Sequence, residues 1–145
     1  MTRNGTFEAG KNSWGTWTGS DGSGDNASFI ENSGYDGAYR LTHYKNTDYE
    51  VFNGQTISSL IPGRYTLSAW VLGDSSSPHF LSIKNHGQPE QMVAIPDAPY
   101  PNWVQISISD IDIYTGSCEI GLYSNASAGS WCSIDNVHLM LMDAY

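Results

Sequence analysis

Between Arg64 and Val71 the chain alternates strictly. Tyr65, Leu67, Ala69 and Val71 fall on one side of an extended backbone, and Thr66, Ser68 and Trp70 on the other. Successive side chains of a strand point to opposite faces, so this pattern describes a strand with one buried and one exposed side. Helical periodicity is nearly absent elsewhere, and the segments are separated by Gly, Pro, Asn and Asp, as Pro62-Gly63 and Gly73–Pro78 bracket this one. The same reading predicts strands at Ala38–Tyr44, Tyr49–Ile57, Phe80–Asn85, Gln91–Ile95, Trp103–Ile108, Cys118–Tyr123 and Trp131–Leu141, with a flexible loop at Ser20–Ser28. Eight or nine short strands at this spacing predict an all-β fold, a β-sandwich of two antiparallel sheets. The 145 residues show no repeat and no linker, so residues 1–145 read as a single module, with the last strand beside the segment around Phe7.

Composition removes several functions. Six bases against 15 acids give a net charge of −9, a poor footprint for nucleic acid, and no apolar run is long enough to cross a bilayer. Met1–Gly5 is not followed by an apolar run, so it is not a signal peptide; the chain reads as a domain excised from a larger exported bacterial protein. A hairpin of 118–123 with 131–137 would set Tyr123 opposite Trp131 and Cys118 opposite Asn136. Cys118 and Cys132 are then too far apart for a bridge, and two buried thiols are expected; a bridge through another register is the alternative.

Nothing in the sequence marks a nucleophile, a phosphate loop or a zinc motif. His43, His79, His86 and His138 are scattered and read as surface or polar-face residues. Asp110 and Asp112 share one face of an extended segment, but a carboxylate pair that cleaves a sugar must flank it across a cleft. A solvated turn is the plainer reading.

The aromatics say more. Alternation puts Trp70, Trp131, Tyr123 and Tyr44 on the polar sides of their strands, with Arg40 and Thr42 beside Tyr44. Rings aligned across adjacent strands on a solvent face form a binding surface. A pyranose has apolar C–H faces and a rim of hydroxyls, so it takes a flat ring to stack on and planar or charged partners beside it. Arg40, Lys84, Asn85, Glu119 and Asn125 supply those partners. Glu8 and Asp135 become neighbours if the first and last segments adjoin. No Lys or Arg lies near them in sequence, so a hard cation, Ca2+, would satisfy both; the alternative is that each caps a turn.

Asn4–Glu8, Ser33-Gly34 before Tyr39-Arg40-Leu41, and Trp131–Val137 resemble the β-sandwich carbohydrate-binding modules of bacterial polysaccharide-degrading enzymes. Leu41–Tyr44, Tyr49–Val51 with Gln55-Thr56, Gly63–Val71, Lys84–Gly87, Ile120–Ala126 and Ala128–Trp131 resemble family 61 within that group, over about residues 4–141. Its motifs overlap with those of families 4, 16 and 22. The resemblance implies a jelly roll with structural calcium, held by Glu8, Asp135 and carbonyls placed at Thr6 and Ala38. It also implies a ligand site on the concave sheet for β-1,4-galactan, and a parent endo-β-1,4-galactanase as catalytic partner; xylan, β-glucan, or a small jelly-roll glycanase or lyase are the alternatives. Tyr49 and His43 join the site on the resemblance, although alternation turns His43 inward unless a bulge intervenes. Tyr44 stands where the family often has Trp.

Overall fold

The computed structural model describes residues 1–145. It contains no helix and ten strands: β1 (Gly15–Trp17), β2 (Ser28–Asn32), β3 (Tyr39–Tyr44), β4 (Tyr49–Ile57), β5 (Gly63–Gly73), β6 (His79–Lys84), β7 (Gln91–Ala94), β8 (Val104–Ile113), β9 (Cys118–Ala126) and β10 (Trp131–Ala144). They form two antiparallel five-stranded sheets, β1-β4-β9-β6-β7 and β2-β3-β10-β5-β8, the β-sandwich jelly roll expected. Their inner faces meet in one core of 22 buried side chains, where Tyr65, Leu67, Ala69 and Val71 join Leu81, Ile83, Ile120 and Leu122. The N-terminal segment lies along β10: the Val137 amide donates to the Gly5 carbonyl at 2.9 Å, and the Leu139 amide to the Thr2 hydroxyl at 3.1 Å.

Some expectations change. β1 and β2 were not anticipated, because Gly-Thr-Trp is too short to show a period and Ser28–Asn32 runs out of the turn-rich segment before it. That segment is tied down by its own backbone, Gly24 donating to Thr18 at 2.8 Å and Ala27 to Gly24 at 3.0 Å. β8 continues through Asp110 and Asp112, so these acids sit in a strand, not a turn, with Asp112 paired to Arg64. β9 and β10 do not form a hairpin. The chain crosses between the sheets at 127–130, so β9 pairs with β4 and β6, and β10 with β3 and β5. Cys118 and Cys132 are buried free thiols, as expected though not for the register given, and burial pushes them up to about 11 and about 12.

A polar seam crosses the core at one end. Asn53 donates through its amide to the Gly15 carbonyl and the Thr16 hydroxyl, which leaves its Oδ1 as acceptor for His43 Nε2–H at 2.7 Å. Neutral His43 then accepts at Nδ1 from the Ser124 hydroxyl (2.8 Å), and Ser124 accepts from His79 Nδ1 (2.7 Å). Burial drives His43 down to about 3. His43, His79 and His86 are thus interior, His43 as the alternation of its strand predicts and the other two against the expectation of surface histidines; only His138 is exposed. Ser and Asn side chains bond both ring nitrogens of His43 and His79, whereas His86 bonds Gln91 through Nε2 and leaves Nδ1 without a partner.

On the outer side of the first sheet, Gly54 of β4 and Gly121 of β9 are register partners flanking the Phe52 ring, which lies over both. A Cβ at Gly121 would overlap that ring and the Asn53 carbonyl. Gly121→Ala is therefore expected to cost about 1–3 kcal/mol by overpacking, although Gly→Ala normally favours a strand. Urea unfolding checks this, and an unchanged or raised midpoint would contradict it.

Candidate functional site

Residues directly opposite on neighbouring strands point to the same face. Trp17 pairs with Phe52, Phe52 with Tyr123, and Tyr123 with Phe80, so four rings from β1, β4, β9 and β6 stand in one row across the outer face of the first sheet. A groove of about 660 Å³ runs over Trp17, Phe52 and Tyr123, completed by Lys84, Glu90, Met92 and Glu119. Trp17 is 46% exposed, while Phe52 forms the floor with the Lys84 ammonium 4.1 Å above its centroid. Lys84 has no carboxylate partner. The walls are polar and fixed. The Tyr123 hydroxyl donates to Glu50, Ser82 donates to Glu90 at 2.6 Å, and Asn85 donates to Glu119 at 2.8 Å. Burial and the bond to Glu50 push Tyr123 up to about 12, so it keeps its proton. Flat apolar rings beside ordered donors and acceptors suit an uncharged polyhydroxylated ligand.

The expected site residues divide between two opposite faces. Tyr123 and Lys84 line the groove, Asn85 braces it through Glu119, and Asn125 lies two residues beyond Tyr123 on the same face. Arg40, Tyr44 and Trp131 lie on the outer face of the second sheet, around a separate cleft. The single row of Trp70, Tyr44, Tyr123 and Trp131 is therefore corrected: with β9 and β10 in different sheets, Tyr123 cannot stand beside Trp131. Trp70 does face outward, but Tyr35 stacks on it at 4.1 Å and 9°, so it is no open platform. His43 and Tyr49 are corrected too. His43 is locked in the seam, and Tyr49 is 2% exposed with its hydroxyl donating inward to the Ser130 carbonyl at 2.8 Å.

The model of the family described as carbohydrate binding domain matches residues 1–109. The chain belongs to that family. The carbohydrate-binding module is also similar to TmCBM61, solved in complex with β-1,4-galactotriose, with a TM-score of 0.84 and 20% identity over 97% of each chain. A family 16 module matches with a TM-score of 0.68 and 16% identity, over 95% of this chain and 97% of that one. The CBM22-1 xylan-binding domain of Paenibacillus barcinonensis Xyn10C matches at 0.64 and 13%, over 97% and 93%. No curated protein sequence matches. At these identities the solved structures share the fold.

Sequence reasoning missed Trp17 and Phe52 of this module. Phe52 was legible, since in Tyr49–Ile57 it alternates with Val51 and Asn53 and so faces outward. Trp17 gave no such signal, because its three-residue strand is recognisable only by its pairing with β4.

At the other face, Glu8 and Asp135 converge on the turn before β3. Glu8 accepts the amides of Ala38 (2.9 Å) and Tyr39 (3.0 Å), and Asp135 those of Asp36 (2.9 Å) and Asn136 (2.8 Å). Asp135 is fully buried, touches no base, and is raised to about 6 by burial and, less strongly, by Glu8. Two carboxylates without a counter-charge fit a hard cation. Ala38 meets Glu8 through its N–H, while its carbonyl accepts from Ser33 at 2.8 Å and keeps one lone pair free. No group of three or more acids, histidines or cysteines is assembled, so backbone carbonyls such as that of Thr6 would have to complete any site.

In chelator, the folded state favours protonated Asp135. Its favourable contribution is complete below the ordinary value of 3.8 and disappears as pH rises through about 6. Relative to wild type, Asp135→Asn should therefore gain stability across that window. Parallel pH dependences of the two melting temperatures would contradict the assignment.

Proposed function

We propose that the module binds β-1,4-galactan without cleaving it, in the groove over Trp17, Phe52 and Tyr123. The three in-register rings that line the groove between polar walls carry this reading. The choice of galactan is supported by the family 61 motifs and by the galactotriose complex of TmCBM61. The axial O4 of galactose makes the chain coil, and a groove of this size takes a few curved residues. Stacking plus hydrogen bonds of ~5–7 kcal/mol corresponds to dissociation constants in the micromolar to sub-millimolar range. The module would hold a parent galactanase on plant cell-wall polysaccharide outside the cell, where a surface low in Lys and Arg suits an exported protein. Ca2+ held by Glu8 and Asp135, with carbonyls of the Thr6 and Ala38 segments, would fasten the N-terminal segment to β10 and the turn before β3.

Trp17→Ala should weaken galactan binding about tenfold or more, the loss of roughly 1.4 kcal/mol of stacking, while moving the melting temperature by only about 2 °C, as for other exposed positions. Calorimetric titration with galactan beside xylan and β-glucan decides the glycan; tighter binding to xylan would replace the proposed ligand. Glu90 and Glu119 in the groove are the observation favouring a small glycanase. Incubation with galactan should release no reducing ends, and sustained release would favour that rival. Chelation should lower the melting temperature, since a cation held only by the folded state stabilises it; no shift would remove calcium from the model of function.

A further inference from the structure

We infer that the module carries a second saccharide site, on the outer face of the other sheet, and so holds two glycan segments at once. The cleft there measures about 440 Å³. Tyr44 and Trp131 are register partners on β3 and β10 and so stand side by side on this face, with Phe29 of β2 beyond Thr42. Tyr100 closes the cleft from the segment before β8. Tyr44 is 42% and Tyr100 54% exposed, the accessible rings of the set.

The floor beside these rings is a fixed polar plane with capacity to spare. The Arg40 guanidinium lies 5.2 Å from the Tyr100 centroid. Its Nε and Nη2 donate to Glu31 Oε2 (3.4 and 3.2 Å), and its Nη1 to the Ser33 carbonyl (3.4 Å). A guanidinium has five N–H groups, so two remain without a protein acceptor. Thr42 donates to the same Glu31 oxygen at 2.6 Å, and Glu31 Oε1 receives nothing from the protein. Free donors and a free acceptor are thus held in set directions beside open rings, the arrangement that vicinal hydroxyls satisfy. Arg40 and Glu31 cancel each other's charge. A phosphate or acidic ligand would find no net attraction there, and the −9 of the whole chain opposes it. The occupant is therefore a neutral saccharide.

Stacked sheets lie about 10 Å apart, and these two sites sit on the outward faces of opposite sheets, so one trisaccharide cannot reach both. The second site rests on reading the first groove as a saccharide site, and the experiment separates the two. Trp17→Ala, Tyr44→Ala and Tyr100→Ala are titrated with β-1,4-galactotriose, xylotriose and cellotriose in turn. Wild type is expected to take two molecules of the preferred triose, each single variant one, and Trp17→Ala/Tyr44→Ala none. A stoichiometry of one in wild type, or Tyr44→Ala and Tyr100→Ala both binding as wild type does, overturns the second site. Trp17→Ala binding as wild type does overturns the reading of the groove instead. As an independent readout, wild type should raise the viscosity of a solution of the matching polysaccharide by bridging chains, and neither Trp17→Ala nor Tyr44→Ala should; bridging that persists in Tyr44→Ala overturns the proposal.

Discussion

Burial of the inward half of each pleated strand is what the module's other features depend on. Tyr65, Leu67, Ala69 and Val71 share a core with Leu81, Ile83, Ile120 and Leu122 across the gap between the sheets. Removing that apolar area from water fixes the register of both sheets, because a slip of one residue would turn the whole apolar set outward. With the inner half committed, the outer half is free to carry chemistry. Trp17, Phe52, Tyr123 and Phe80 are aligned because the core on the far side of their strands holds those strands in place.

The polar groups inside the sandwich follow a different rule. His43, His79, Ser124 and Asn53 lie where β1, β4, β9 and β6 meet β3, and each finds a partner inside the protein. A buried group that is fully hydrogen-bonded costs little, whereas losing one partner strands the next. Asp135 is the contrasting case. Four amides serve the Glu8 and Asp135 carboxylates, yet no positive side chain does, and the raised proton affinity of Asp135 registers the deficit.

The all-β class, the main strands and the outward orientation of Trp70, Tyr44, Trp131 and Tyr123 were legible in the sequence, because alternation is a local signal. Which sheet each strand joins was not. Tyr123 and Trp131 are eight residues apart and look like the arms of a hairpin, but the connection between them crosses from one sheet to the other. That choice depends on long-range pairing, to which period two is blind. The same blindness hid Tyr35 over Trp70, since a loop residue covering a strand leaves no trace in the strand's own pattern. His43 was legible as inward from alternation, whereas His79 and His86 were misjudged because their partners come from other strands and a loop. Phe52 was recoverable from alternation alone, and Trp17 was not.

The four rings over β1, β4, β9 and β6 also act as a ruler. Each is anchored on the next strand at the same level, so their Cα positions advance by the interstrand repeat, about 4.8 Å, while the Phe52 ring turns along its strand to lie over Gly54 and Gly121. Backbone hydrogen bonds set the pitch of these anchors, and side-chain rotation sets where each ring lies above them. Spacing across the strands is therefore fixed by the sheet, whereas spacing along them is open to the lean of each ring, so the outline of the platform is decided jointly by backbone pairing and by small residues such as Gly54 and Gly121 that let a ring lie down.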